Sequence, residues 1–192
     1  MDLKRICVYC SSSMALDEPV ETEIRVFGRE IARRGIGLVY GGSSRGLMGA
    51  LASEVLGAGG KVVGVIPRAL EGREAAHQGL TELKVVSTMH EREQMLFDLA
   101  DAFVGFPGGF GTMQEIIEML TWKQLGIHGK PIVLANIGGY FNPLLQQFEL
   151  AIQKKYVRSE DRILFAVADN TRAILTFLEG APVMARKAGD WT

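Results

Sequence analysis

Residues 106–115 read Phe-Pro-Gly-Gly-Phe-Gly-Thr-Met-Gln-Glu, a glycine-rich corner with an acid one helical turn behind it. The apolar run Ala102–Phe106 precedes it as an expected strand, and Met113–Leu125 follows as an expected amphipathic helix. Glycines at such a corner permit positive φ and leave room for a ligand. A helix N-terminus presents N–H groups lacking intrahelical acceptors and a partial positive charge, which together suit a phosphate. Gly108, Gly109, Phe110, Gly111 and Thr112 are therefore the expected phosphate contacts. Glu115 is the acid placed to act on whatever the phosphate carries. Thr112-x-x-Glu115 is equally the pattern of a capping box, in which both side chains only satisfy end N–H groups. Glu118 lies three residues beyond Glu115 on the same helix face, with Thr121 and Trp122 close to that face. Two like charges beside a phosphate nest make an odd solvated face. They make sense if one binds sugar hydroxyls and the other tunes it.

A second constellation is Met89-His90-Glu91-Arg92-Glu93. Arg92 is either a helix-start surface charge paired with Glu91 and Glu93, or a planar fork offered to phosphate or purine at the same pocket edge. His90 reads as a helix-start residue. His77 and His128 read as lone loop histidines, and Arg45 as a solvated charge or a phosphate contact. Cys7 and Cys10 form a C-x-x-C, but they fall on an expected strand, where positions i and i+3 face opposite ways. Two core cysteines fit that better than a redox or zinc pair, and no metal site is expected.

These residues need elements to hold them. Apolar, β-branched runs at Ile6–Cys10, Gly37–Tyr40, Val62–Ile66, Leu83–Val86, Ala102–Phe106, Ile132–Ile137 and Ile163–Val167 read as about seven strands. Val20, Ile24, Phe27 and Ile31 mark a helical stripe between the first two, and Leu47–Leu56 fills the next gap. Phe141–Ile152 and Arg172–Leu178 mark two more helices. Strands apolar on both faces alternating with helices imply an α/β fold: a three-layer, doubly wound, Rossmann-like parallel sheet covered on both faces. Residues 1–179 are expected to form that single domain, and residues 180–192 a flexible tail. Ligands in such sheets sit beyond the carboxyl ends of the strands. The loops there are Ser11-Ser12-Ser13, Gly41-Gly42-Ser43-Ser44, Pro67-Arg68 and Pro107–Gly111.

The chain has 192 residues, 47% of them hydrophobic, and a net charge of −1, which excludes a disordered chain and gives no reason to expect nucleic acid. No apolar run approaches the ~20 residues that span a bilayer, and Met1–Arg5 leads directly toward a strand without a signal-peptide pattern. A cytoplasmic protein is expected. The dinucleotide fingerprint is missing, because the first loop carries serines and Val62–Ile66 ends in Pro67 where an acid would stand. No P-loop occurs either. A nucleoside monophosphate is the simplest remaining ligand.

Taken together, these stretches resemble the LONELY GUY family. The resemblance is carried by Cys7–Ser13, Tyr40-Gly41-Gly42 with Gly46-Leu47-Met48-Gly49, Gly64-Val65-Ile66-Pro67, Met89-His90-Glu91-Arg92 and Pro107–Glu115. Thr121-Trp122-x-Gln124-Leu125-Gly126-Ile127-His128 and Gly139-Tyr140-Phe141-Asn142 extend it over about residues 3–178. The joint occurrence of M-H-x-R and P-G-G-x-G-T-x-x-E is highly specific. Members have often been labelled lysine decarboxylases, yet nothing in the sequence resembles a pyridoxal phosphate site.

The resemblance implies a phosphoribohydrolase, which cleaves the N-glycosidic bond of a cytokinin riboside 5′-monophosphate, or AMP, to free base and ribose 5-phosphate. It implies no cofactor, and a homodimer with the site near the interface. It implies catalytic roles for Arg92 and Glu115, phosphate binding by Gly109, Phe110, Gly111 and Thr112, and substrate contacts at Glu74 and Thr121. Glu118 and Glu93 are expected to support these. The alternative is a non-catalytic nucleotide-binding or carrier module using the same nest. The sequence departs from the family pattern at Ser11-Ser12, at Ser43-Ser44-Arg45, and at Glu93, which replaces the usual lysine and removes a positive charge beside Arg92.

Overall fold

The computed structural model describes residues 3–15, 17–71 and 76–180. Seven strands, β1 (Arg5–Tyr9), β2 (Gly37–Tyr40), β3 (Val62–Pro67), β4 (Glu82–Val86), β5 (Ala102–Gly105), β6 (Ile132–Ala135) and β7 (Ala166–Ala168), form one sheet. Every pairing is parallel, in the order β4-β3-β2-β1-β5-β6-β7. The order reverses between β1 and β5, so the loops after those two strands flank the topological switch point. Among the described residues, five α-helices lie between strands, α1 (Glu18–Arg33), α2 (Gly46–Gly57), α3 (Met89–Leu99), α4 (Phe110–Gln124) and α5 (Asn142–Gln153), and α6 (Thr171–Gly180) follows β7.

The three layers follow from alternation along the strands. Ile6, Val8 and Cys10 face one side and pack with α1, α2 and α6 through Ile24, Phe27, Leu51 and Ile174. Cys7 and Tyr9 face the other and pack against Leu96 of α3 and Ile116 and Met119 of α4. The two cysteines are thus buried, free, and on opposite faces of the sheet. Burial pushes both thiols up from the usual cysteine range, the opposite of what a reactive thiolate requires.

Local chemistry sets the helix starts. Asp17 caps α1, accepting from Val20 N, and Glu18 and Glu21 place negative charge in its first turn. Two expected strands are shorter than their apolar runs. Ile132–Ile137 ends as a strand at Ala135, and Ile137–Gly139 forms a 3₁₀ turn with Gly138 at φ 60°. Ile163 and Leu164 belong to a second 3₁₀ segment, Ser159–Leu164, before β7. Ile137 is buried in that turn, so its hydrophobicity reports burial and not strand geometry. No helix among the described residues is long and apolar enough to cross a membrane. The expected tail, residues 180–192, lies outside the described residues except for Gly180.

Candidate active site

The corner between β5 and α4 forms where the sequence places it. Gly109 is the N-cap of α4, in extended backbone and with no side-chain cap. The first-turn N–H groups are left to an external acceptor. Phe110 is 96% exposed at that end, so its ring does not cover them. The glycines serve differently than expected, because none of Gly108, Gly109 and Gly111 has a positive φ. Gly108 is required by close approach: a Cβ there would collide with the Thr112 side chain packed beneath it. Added Cβ atoms at Gly109 and Gly111 would meet nothing within 4 Å, so their surroundings are open.

Thr112 lies inside the helix and is buried, so Thr112-x-x-Glu115 is no capping box. The same spacing does act as a cap elsewhere. Thr88 Oγ1 accepts from Glu91 N at 3.1 Å, while Glu91 Oε2 accepts from Ser87 N at 2.7 Å, starting α3. A cleft of about 390 Å³ opens in front of the corner, lined by Ser11, Ser13, Gly108, Gly109 and Tyr140 among others. That size is within the usual range for small-molecule sites.

Arg92 and Glu115, on α3 and α4, meet across the same face of the sheet. Arg92 Nη2 stands 3.4 Å from Glu115 Oε1, with side-chain exposures of only 7% and 4%. Arg92 Nε donates to the Val65 carbonyl of β3 at 3.3 Å, which fixes the plane of the guanidinium. Gly41, just after β2, leaves the room: a Cβ there would overlap Arg92 Nη2. The solvated-charge reading of Arg92 is therefore replaced by a buried ion pair with an acid 23 positions away in sequence. Glu91 and Glu93 do not provide its partner.

Glu93 is itself buried and accepts from Gln114 Nε2 at 2.6 Å; the same amide donates to Glu118 at 3.3 Å. Burial, and then the adjacent Glu93 carboxylate, push Glu118 above the usual carboxylate range. Gln114 thus bridges Glu93 of α3 and Glu118 of α4, one position before Glu115 in the chain. Thr121 is exposed and its hydroxyl returns to the Ile117 carbonyl at 2.8 Å. It lines a separate, largely apolar groove of about 400 Å³ with Ile117, Leu145, Phe148 and Phe165, and neither this groove nor the cleft before the corner has Arg92 or Glu115 in its lining. Glu74 lies outside the described residues. Arg45 is exposed at the N-cap of α2.

Two of the three histidines differ from expectation. His77 accepts from Gly79 N at 3.1 Å and lies 3.4 Å from Ser53 Oγ. His128 is buried beside Phe97 and Phe103; its Nδ1 accepts from Lys130 N at 3.1 Å, and Nε2 faces the Met119 carbonyl at 3.0 Å. Those two bonds select the neutral Nε2–H form. Burial pushes its pKa down to about 4. His90 is exposed in the first turn of α3, as a helix-start residue should be.

Sequence reasoning assigned no role to Gly41, Gln114 and Tyr140. Gly41 and Tyr140 stand inside the motifs that carry the resemblance, which was the available signal. Gln114 likewise stands inside the Pro107–Glu115 motif.

A family model described as possible lysine decarboxylase matches residues 48–178. A rice protein (Oryza sativa subsp. japonica) named probable cytokinin riboside 5′-monophosphate phosphoribohydrolase LOGL1 is 42% identical over 175 residues, covering 91% of this chain and 78% of its own length. An Arabidopsis thaliana relative, cytokinin riboside 5′-monophosphate phosphoribohydrolase LOG1, is 39% identical over 176 residues, covering 92% and 83%. Among solved structures, the Moco carrier protein of Chlamydomonas reinhardtii superposes with a TM-score of 0.70 at 22% identity, covering 92% of this chain and 96% of that one. That likeness is one of fold.

Proposed function

The chain belongs to the family described as possible lysine decarboxylase, among the LONELY GUY phosphoribohydrolases, and from that premise we propose how its own residues do the chemistry. It is a hydrolase that cleaves the N-glycosidic bond of a cytokinin riboside 5′-monophosphate, giving free base and ribose 5-phosphate. The observation that carries the site assignment is the buried Arg92–Glu115 pair directly behind an uncapped helix N-terminus.

In this reading the N–H groups of Gly109, Phe110, Gly111 and Thr112 hold the 5′-phosphate, and the helix dipole adds to their attraction. Cleavage of an N-glycosidic bond passes through an oxocarbenium-like sugar, so a fixed carboxylate near the ribose lowers the barrier. Glu115 is that carboxylate. Arg92 is held by Val65 on one side and by Glu115 on the other, and orients the acid while facing the leaving base. Glu93, Gln114 and Glu118 fix the two helices behind the pair. Glu74 and Thr121 are assigned substrate contacts by resemblance only. No step requires a metal or organic cofactor.

We assign the apolar groove beside Thr121 to a second copy of the chain, forming a homodimer. Ile117, 37% exposed, lines that groove, and Ile127 (58% exposed) lies just past the end of α4. Incubation of the purified protein with AMP and with isopentenyladenosine 5′-monophosphate, followed by chromatography, tests the activity. Free base is expected. Ligand-induced stabilisation with no base released would favour a carrier.

A further inference from the structure

The peptide between Gly108 and Gly109 has more conformational freedom than any other at the phosphate corner, because glycine flanks it on both sides. Its orientation matters. In one orientation the peptide offers an N–H to a ligand at the N-terminus of α4; flipped, it offers a carbonyl oxygen, which repels a phosphate. Flipping it requires only a change in two soft dihedrals.

One side chain distinguishes these states. Tyr140 donates its hydroxyl to the Gly108 carbonyl at 2.6 Å. The peptide is trans, so with its carbonyl turned to Tyr140 the Gly109 N–H is directed the opposite way. Ser11 N holds the preceding carbonyl, that of Pro107, at 3.2 Å. Both carbonyls at the entry to the corner are thereby occupied.

Tyr140 is 43% exposed, but the chain that carries it is held. Asn136 Oδ1 accepts from Phe141 N at 2.7 Å, and Asn136 Nδ2 donates to Asn142 Oδ1 at 2.8 Å. Phe141 is fully buried, and its ring meets that of Tyr140 edge-on at 5.1 Å. Gly138 and Gly139, at φ 60° and 77°, turn the chain where Tyr140 reaches across to the corner after β5. The segment after β6 is thus a rigid arm ending in one hydroxyl.

We propose that Tyr140 is a positioning residue for the phosphate site: its hydroxyl locks the Gly108–Gly109 peptide with the Gly109 N–H available to the 5′-phosphate. This rests on the assignment of that phosphate to Gly109–Thr112. Tyr140→Phe keeps the ring and its packing on Phe141 and deletes only the locking hydrogen bond. Affinity for ribose 5-phosphate, measured by calorimetry, should fall about tenfold, the effect of losing one hydrogen bond that supports a charged contact. Affinity for ribose should not change, and the melting temperature should hold. In steady-state assays with AMP the larger share of the effect should appear in KM and not in kcat.

A variant that binds ribose 5-phosphate as tightly as the parent overturns the proposal. So does an equal loss for ribose and ribose 5-phosphate, which would mark general damage to the loop. If the parent itself does not prefer ribose 5-phosphate over ribose, the phosphate assignment fails and the role of Tyr140 fails with it. Calorimetry reads binding without turnover, so these outcomes stay separate from any failure of catalysis.

Discussion

Replacing Gly41 with alanine should disable the enzyme without replacing a catalytic residue. The added Cβ would occupy space held by Arg92 Nη2, and it would stand 3.3 Å from the Met48 thioether, which is flexible enough to yield. Arg92 cannot yield as easily. It is buried, its Nε is bonded to the Val65 carbonyl at 3.3 Å, and its Nη2 lies 3.4 Å from Glu115. To restore ordinary contact the guanidinium must withdraw by about 1 Å, a displacement that typically costs about 100-fold in rate at a catalytic centre. That corresponds to about 2.7 kcal/mol in the barrier. Backbone strain is not involved, because Gly41 has no positive φ. The assay is base release from AMP with kcat and KM resolved, at matched concentrations of folded protein checked by thermal melting. The expected result is kcat down about 100-fold with a smaller change in KM, since the corner at Gly109–Thr112 is untouched. Gly57→Ala, where the new methyl meets nothing within 4 Å, serves as the control. Parental turnover by folded Gly41→Ala would refute the reasoning that Arg92 must hold its present place.

Two further outcomes follow from groups away from the chemistry. The native state refuses a proton on His128 until about pH 4, whereas the unfolded chain takes one up near 6.5, so stability should fall as pH drops through that window. The loss between pH 7 and pH 5 should be about 2 kcal/mol in urea denaturation, and His128→Gln should flatten it; an unchanged slope would contradict the buried neutral assignment. Ile117→Asp, in the groove assigned to a second copy, should convert a dimer to a monomer in sedimentation velocity, and a monomeric parent at micromolar concentration would remove that assignment.

The central corner was legible because its signals are local: an apolar strand, glycines, and an amphipathic helix carrying an acid at fixed spacing. Strand alternation likewise placed Cys7 and Cys10 on opposite faces. Long-range partnerships were not legible. Nothing near Arg92 in sequence points to Glu115 or to the Val65 carbonyl; β1 to β5 must first be laid side by side. The T-x-x-E pattern occurs at both Thr88 and Thr112, and only tertiary packing decides between them. Thr112 is drawn into α4 beneath Gly108, whereas Thr88 stays at the start of α3. The apolar run overstated β6 because Ile137 is buried in a turn, and burial alone does not specify backbone conformation; β7 was misplaced because Ile163, 62% exposed, belongs to the 3₁₀ segment before it. Glu93, a departure from the family pattern, is met by Gln114, a partner visible only once α3 and α4 lie together.

The most direct measurement compares parent and Glu115→Gln in single-turnover reactions with isopentenyladenosine 5′-monophosphate, following free base and ribose 5-phosphate by chromatography. Glu115 is buried behind the nest and does not form it, so the variant should bind the nucleotide with near-parental affinity. The parent should release base and ribose 5-phosphate in equal amounts, and the variant should release neither. Parental turnover by the folded variant, or no base release by the parent, would contradict the assignment of Glu115 as the carboxylate that faces the reacting sugar.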